Sequence, residues 1–220
     1  MMKAVRCWAD ADAEVWRIDV SQALPDRSMQ QLSEDEVARA ARFVHERDSR
    51  RFLGSRYALR CILAEVTGLR VEDVAFGRGP HGKPFMMGHA GWRFSLSRRM
   101  DVALVGISAG CEIGVDIEPV DNVQDLEVMA EQVCSANERV QWGRCPATDR
   151  AAAFATCWTR KEASLKAVGV GLSVDPVAVD VGLASAPALV YVPVPTGSVQ
   201  VRVGSFAVDL GWIGAIAAVA

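Results

Sequence analysis

No C-x-x-C pair occurs among the six cysteines, and the chain has only three histidines and two tyrosines. Each scarcity removes a class of protein. Cysteines scattered at 7, 61, 111, 134, 145 and 157 and histidines at 45, 81 and 89 offer no zinc spacing. They read as reduced, buried thiols rather than ligands or a disulfide frame. The longest apolar stretches, such as Ile213 to Ala220, fall far short of the ~20 residues that a membrane span needs. The opening from Met1 to Asp10 has no apolar core of a secretory signal, so a cytoplasmic protein without membrane association is expected. Basic excess is missing too. Lys and Arg number 24 against 27 Asp and Glu, and aromatics make up 7%, which argues against nucleic acid as a partner.

What is present is an apolar half of 220 residues, enough for a substantial core without staples. Strand-like stretches open the chain at Val5 to Trp8 and Glu14 to Val20. Ser33 to Glu36 forms a capping box that starts a helix reaching about Phe43. A longer helix is expected from about Ser49 to Val66, stopped by Gly68, and then strands at 71–76, 92–96, 102–107 and 112–118. The second half follows a similar order. Ser135 to Glu138 is another capping box, and a helix runs from about Asp149 to Val168, closed by Gly169. Strands follow at 177–181, 189–192, 199–203 and 213–219. Helices followed by a strand group, twice, with the joint near Gly110, indicate α+β architecture in two halves, 1–110 and 111–220.

Gly77-Arg78-Gly79-Pro80-His81-Gly82 matches the dinucleotide fingerprint G-x-G-x-x-G. That site needs a helix after the last glycine, and Pro84 biases Lys83 towards an extended backbone, so the match is rejected. A turn presenting Lys83 to solvent or to an anion is expected instead.

Gly114-Val115-Asp116-Ile117-Glu118 reads as a strand of period two, with Asp116 and Glu118 on one face, about 6.6 Å apart at Cα. Paired carboxylates are either a solvated acidic edge or oxygen ligands for a hard divalent ion. On the helix Cys157 to Lys166, Glu162 falls about 40° from Trp158, inside the stripe of Phe154, Ala155, Trp158 and Leu165. A charge on an apolar stripe calls for a partner or a metal, and Lys166 lies one turn on. Between Glu36 and Arg60 stand seven arginines against three acids. Some belong to a solvated face, whereas a clustered subset suits a polyanionic small molecule.

Taken in order, Gly82-Lys83-Pro84, Phe94-Ser95-Leu96-Ser97, Gly114 to Glu118 and Trp158-Thr159-Arg160-Lys161-Glu162-Ala163-Ser164-Leu165-Lys166 resemble the 4′-phosphopantetheinyl transferases of the Sfp type. The resemblance implies a monomer of two similar α+β halves about a pseudo-twofold axis, with coenzyme A in the cleft between them. It implies Mg²⁺ (Mn²⁺ as the alternative) held by Asp116, Glu118 and Glu162 against the coenzyme A pyrophosphate. A serine of an apo acyl or peptidyl carrier protein then attacks, and adenosine 3′,5′-bisphosphate leaves. Glu162 is the implied general base and Lys166 the stabilising charge, with Lys161 assisting. Arg39, Arg51 and Lys83 are implied in phosphate binding, with Pro84, Ser97 and Arg98 completing the cofactor-binding set. The chain departs from the pattern at Ser95-Leu96-Ser97-Arg98-Arg99, where the family has a histidine between the serines. Arg98 supplies a permanent charge nearby, so altered coenzyme A affinity is expected. The alternative is a catalytically impaired homologue that binds coenzyme A or the carrier.

Overall fold

Two serines open two helices in the same way. Ser33 Oγ accepts from the Glu36 N–H at 3.3 Å while Glu36 Oε2 accepts from the Ser33 N–H at 2.9 Å. Ser135 and Glu138 repeat the exchange at 3.1 and 2.7 Å. Each box satisfies donors that a helix start leaves bare, and so fixes where the chain turns helical. A computed structural model describes residues 4–10, 12–120 and 125–220. The first three residues of the opening stretch lie outside the described residues.

In chain order the elements are β1 (Ala4–Ala9), β2 (Ala13–Asp19), α1 (Glu34–Ala40), α2 (Glu46–Thr67), β3 (Phe76–Arg78), β4 (Pro84–Met86), β5 (Trp92–Arg99) and β6 (Val102–Ala109). There follow β7 (Ile113–Pro119), α3 (Leu126–Val133), α4 (Ala136–Gly143), α5 (Arg150–Val168), β8 (Ala188–Val194), β9 (Gly197–Asp209) and β10 (Trp212–Val219). Gly68 and Gly169 end α2 and α5 in the left-handed region, φ +72° and +79°, as a helix stop requires.

Both halves share a three-stranded core. The first sheet runs β1-β2-β6-β5 and the second β7-β10-β9-β8, with the fourth strand on opposite edges of that core. In each, a strand (β2 or β7) leads through one short helix (α1) or two (α3 and α4) to a long one (α2 or α5). An antiparallel hairpin (β5–β6 or β9–β10) then returns with its last strand paired to the first. The capping-box glutamates share this symmetry. Glu36 reaches Arg56 and Arg60 on α2 at 2.6 and 2.9 Å, and Glu138 reaches Lys161 on α5 at 2.7 Å. Gly110, φ +115°, lies in the turn between β6 of the first sheet and β7 of the second. An apolar cluster with Val15 and Leu104 from one half and Ile113, Val115, Ile117 and Ile216 from the other fills the space between the sheets.

Two expected strands are short 3₁₀ turns instead. Residues 71–76 form a turn at Val71–Asp73, because Arg70 binds the Asp73 carboxylate at 2.7 Å and closes the backbone locally. Residues 177–181 begin inside a turn at Pro176–Ala178, where Asp175 accepts from the Val177 N–H, and continue without strand pairing. The carbonyls of Val179 and Val181 accept from Lys161 and Arg160 on α5, so side chains take the bonds that a strand partner would have taken. The first helix stops at Ala40, short of Phe43, and α3 carried no cap that the sequence advertised. All six cysteines are free thiols, but only Cys134 and Cys157 are buried.

Glu36 links stability to pH. Burial opposes its charge, yet the Ser33 N–H and the Arg56 and Arg60 guanidiniums outweigh that and hold its carboxyl below the ordinary value. A carboxyl lowered on folding contributes stability above the unfolded pKa and loses it as pH falls through the folded value. Glu36→Gln leaves two buried guanidiniums without their anion and is expected to cost about 3–5 kcal/mol at pH 7. Urea midpoints should show the deficit shrinking as pH drops below the ordinary carboxylate range. A deficit that stays constant down to full protonation counts against this role.

Candidate functional site

The strand period sets the site. On β5, Phe94 and Leu96 face the core under α2, while Ser95, Ser97 and Arg99 face β7. The edges of the two sheets meet here through side chains. Ser95 Oγ accepts from the Val115 N–H at 3.0 Å, Ser97 Oγ donates to Asp116 Oδ1 at 2.7 Å, and Arg99 pairs with Glu118 at 3.0 Å. Gly114 lets α5 press on β7. A Cβ there would stand 2.0 Å from the Ala163 carbonyl oxygen and 2.5 Å from the Ala167 nitrogen, so no other residue fits.

This approach brings α5 to the acids. Lys166 Nζ donates to Asp116 Oδ1 at 2.6 Å and lies 3.8 Å from Glu162 Oε2. Asp116 is 4% exposed, and its Oδ2 is buried without a hydrogen-bond partner. Burial, with the Asp116 charge adding to it, pushes the Glu118 carboxyl above its ordinary value, and Arg99, Lys166 and Trp158 offset this only in part. Burial also raises Glu162, against the pull of Lys166 and with a further push from Asp116. Hard oxygen donors on Asp116, Glu118 and Glu162, the last two with raised proton affinity, and one orphaned carboxylate oxygen suit a small divalent cation. Asp116 and Glu162 both lie against Lys166, and Glu118 feels the charges of Asp116 and Lys166, but the ligand atoms of the three acids are not all within 4.8 Å of one another.

A cleft of about 690 Å³ opens beside this group. Its walls come from α1, α2, the β3–β4 hairpin, β5 and the C-terminal end of α5, so both halves contribute. Arg39, Lys83, Pro84 and Lys166 line it, as do Arg56, Arg60 and Arg78. Arg56 and Arg60 lie over the Phe76 ring, 4.4 and 5.1 Å from its centroid. The cleft therefore has a cationic, partly aromatic wall with Lys166 at one end, an arrangement suited to a phosphorylated ligand with a flat ring. The glycine motif is a hairpin: Gly79 N–H donates to the Lys83 carbonyl at 2.8 Å, and β4 follows rather than a helix. Rejection of the dinucleotide fingerprint stands.

Several expected site residues lie elsewhere. Lys161 is fully buried on the far side of α5. It is paired with Glu138 at 2.7 Å and bonded to the carbonyls of Pro176 and Val179, so it binds no ligand in the cleft. Glu162 is half-buried, and the fully buried charges of α5 are Arg160 and Lys161, because this helix is covered on both sides. Arg51 is held by Asp101 and Asp48 at 2.7 and 3.3 Å and does not line the cleft. Arg98 points the same way, to the Asp48 carbonyl at 3.3 Å and the Phe43 ring, in the opposite direction from Ser97. Lys83, expected to face solvent or an anion, crosses to the other half and donates to Glu112 at 2.6 Å and to the Ala167 carbonyl at 2.8 Å. Burial lowers its pKa against the pull of Glu112.

Arg99 and Arg56 escaped the sequence reading. Arg99 was legible in the period of two shared with Ser95 and Ser97. Arg56 needed the knowledge that α2 borders the cleft. Among the described residues, one group of three metal-capable side chains has all its ligand atoms within 4.8 Å: Cys134, Glu138 and Cys157. Glu138 there accepts from the N–H groups of Ser135, Val181 and Gly182 and from Lys161, so a cation already occupies that position and no metal is called for.

Comparison with known proteins shows the family. A family model described as the 4′-phosphopantetheinyl transferase superfamily matches residues 112–199, and one described as the N-terminal part of 4′-phosphopantetheinyl transferase matches residues 16–109. The 4′-phosphopantetheinyl transferase HetI of Nostoc sp. is 33% identical over 169 residues, 74% of this chain and 70% of that protein. The 4′-phosphopantetheinyl transferase psf-1 of Bacillus pumilus is 33% identical over 142 residues, 64% of this chain and 60% of that protein. Two matched halves, a cleft between them and acids on the seam have one common explanation: the chain belongs to the 4′-phosphopantetheinyl transferase superfamily.

Proposed function

We propose that this protein transfers the 4′-phosphopantetheine arm of coenzyme A to a serine of an apo acyl or peptidyl carrier protein, with Mg²⁺, releasing adenosine 3′,5′-bisphosphate. The observation that carries the reading is the buried, partnerless Oδ2 of Asp116, whose Oδ1 holds the cleft-lining Lys166 next to Glu162. In this reading residues 1–110 and 111–220 are the two halves, the protein works as a cytoplasmic monomer, and coenzyme A lies between the halves with its phosphates towards Arg39, Arg56 and Lys166.

Asp116, Glu118 and Glu162 would hold the Mg²⁺. When bound, the ion supplies charge neutralisation at the pyrophosphate oxygens. The chain's own groups do the rest. Lys166, already fixed on Asp116, stabilises negative charge on the pyrophosphate. Glu162, raised by burial, takes the proton of the carrier serine, directly or through a water. The serine oxygen forms its bond to the phosphorus bearing pantetheine, the P–O bond of the pyrophosphate breaks, and adenosine 3′,5′-bisphosphate leaves as the anion. Such phosphoryl transfer depends on positioning and electrostatics, which a site held between two sheets and a helix supplies.

Intact-mass measurement of apo acyl and peptidyl carrier proteins incubated with coenzyme A and Mg²⁺ tests this. A phosphopantetheine adduct, absent without the metal, is the expected result. Coenzyme A binding without an adduct on any carrier supports the impaired homologue instead.

A further inference from the structure

The Ser97 hydroxyl stands where three elements meet. It is 8% exposed, donates to Asp116 Oδ1 at 2.7 Å, and accepts from Lys166 Nζ at 3.3 Å. The same Oδ1 takes Lys166 Nζ at 2.6 Å. One group each from β5, β7 and α5 thus closes a triangle of hydrogen bonds. The terminal torsion of an aspartate is broad, so a buried carboxylate needs outside contacts to set its plane. Both donors here fall on one oxygen. Its twin is buried with no partner, although the two oxygens of a carboxylate are equal acceptors. The asymmetry has a cause only if Oδ2 is held back for something else.

We infer that Ser97 is a positioning residue: its hydroxyl, together with Lys166, clamps Asp116 through Oδ1 so that Oδ2 is presented to a divalent cation. The inference rests on the reading of Asp116 as a cation ligand given above. It departs from the resemblance, which puts Ser97 in contact with coenzyme A. Ser97 does not line the cleft, and both its proton and an acceptor position are taken by the neighbouring side chains. An outer hydroxyl of this kind fixes the direction of a ligand oxygen without touching substrate.

Ser97→Ala and Ser97→Thr in the full chain test it. Mn²⁺ is the probe, with its free-ion EPR signal reporting binding in the absence of coenzyme A, and transfer kinetics are measured beside it. Ser97→Ala is expected to weaken Mn²⁺ binding and to lower kcat by about 10–100-fold, with KM for coenzyme A within about threefold of wild type. Ser97→Thr keeps the hydroxyl and should restore both. Wild-type Mn²⁺ affinity in Ser97→Ala overturns the inference. So does a rise in KM for coenzyme A at unchanged kcat, which marks a substrate contact. A double-mutant cycle on the melting temperature with Ser97→Ala and Asp116→Asn separates this from the transferase reading. If the wild type neither binds Mn²⁺ nor modifies any carrier, that reading falls. A non-additive cycle then still upholds the clamp on Asp116, and an additive one overturns it.

Discussion

Glu162→Gln is expected to lower the turnover of carrier modification by about 10²–10⁴-fold, the range that loss of a positioned general base produces. The substitution changes little in shape. Glutamine fills the half-buried position one turn from Lys166, and the cleft lining does not include residue 162, so KM for coenzyme A should move little. What goes is the proton acceptor, together with one charged oxygen of the proposed cation ligands. Burial raises the proton affinity of this carboxylate, against the pull of Lys166 and with a further push from Asp116. Turnover within a few-fold of wild type, read from the time course of the carrier mass shift, removes Glu162 from that role.

The second large effect is on stability, at a residue that the motif assigns to chemistry. Lys161→Met keeps the length of the stem and deletes the ammonium. Glu138 then remains as a fully buried carboxylate with only backbone donors, and two carbonyls lose their partner. Breaking a buried pair from one side costs about 3–5 kcal/mol. For a chain of this size that corresponds to roughly 6–20 °C in melting temperature. Lys161→Met with Glu138→Gln should recover part of the loss, since the stranded charge is gone. At a temperature where the variant is folded, turnover per folded molecule should match wild type. A loss of turnover without a loss of stability would return Lys161 to the site.

The contrast between residues 161 and 162 shows how far the sequence could be read. Both capping boxes, both glycine stops and most strands were legible, because each is set by local chemistry. The acid pair was legible from the period of two on β7. Which side of α5 faced the site was not. A helix covered by a sheet on one side and by α3, α4 and the 176–181 segment on the other has no clean polar face, and its two most deeply buried charges are cations that bind carbonyls. The same limit hid the orientation of β5. Ser97 and Arg98 are neighbours in the chain, but they point to opposite faces, one to the acids and one to the N-terminus of α2. The period was readable, whereas its phase depended on β7 lying alongside, in contacts between residues 19 and 20 positions apart that join two different sheets.

Gly114 bears on how such a site can move. With the backbone of α5 lodged against β7 where no side chain intervenes, strand and helix form one beam that carries Asp116, Glu118, Glu162 and Lys166 together. The serines on β5 belong to the other half. Breathing of the cleft would therefore carry all four charged groups as a block and strain the Ser97–Asp116 bond before it altered the spacing among the acids. The enzyme's flexibility and its electrostatic arrangement reside in different seams of the molecule.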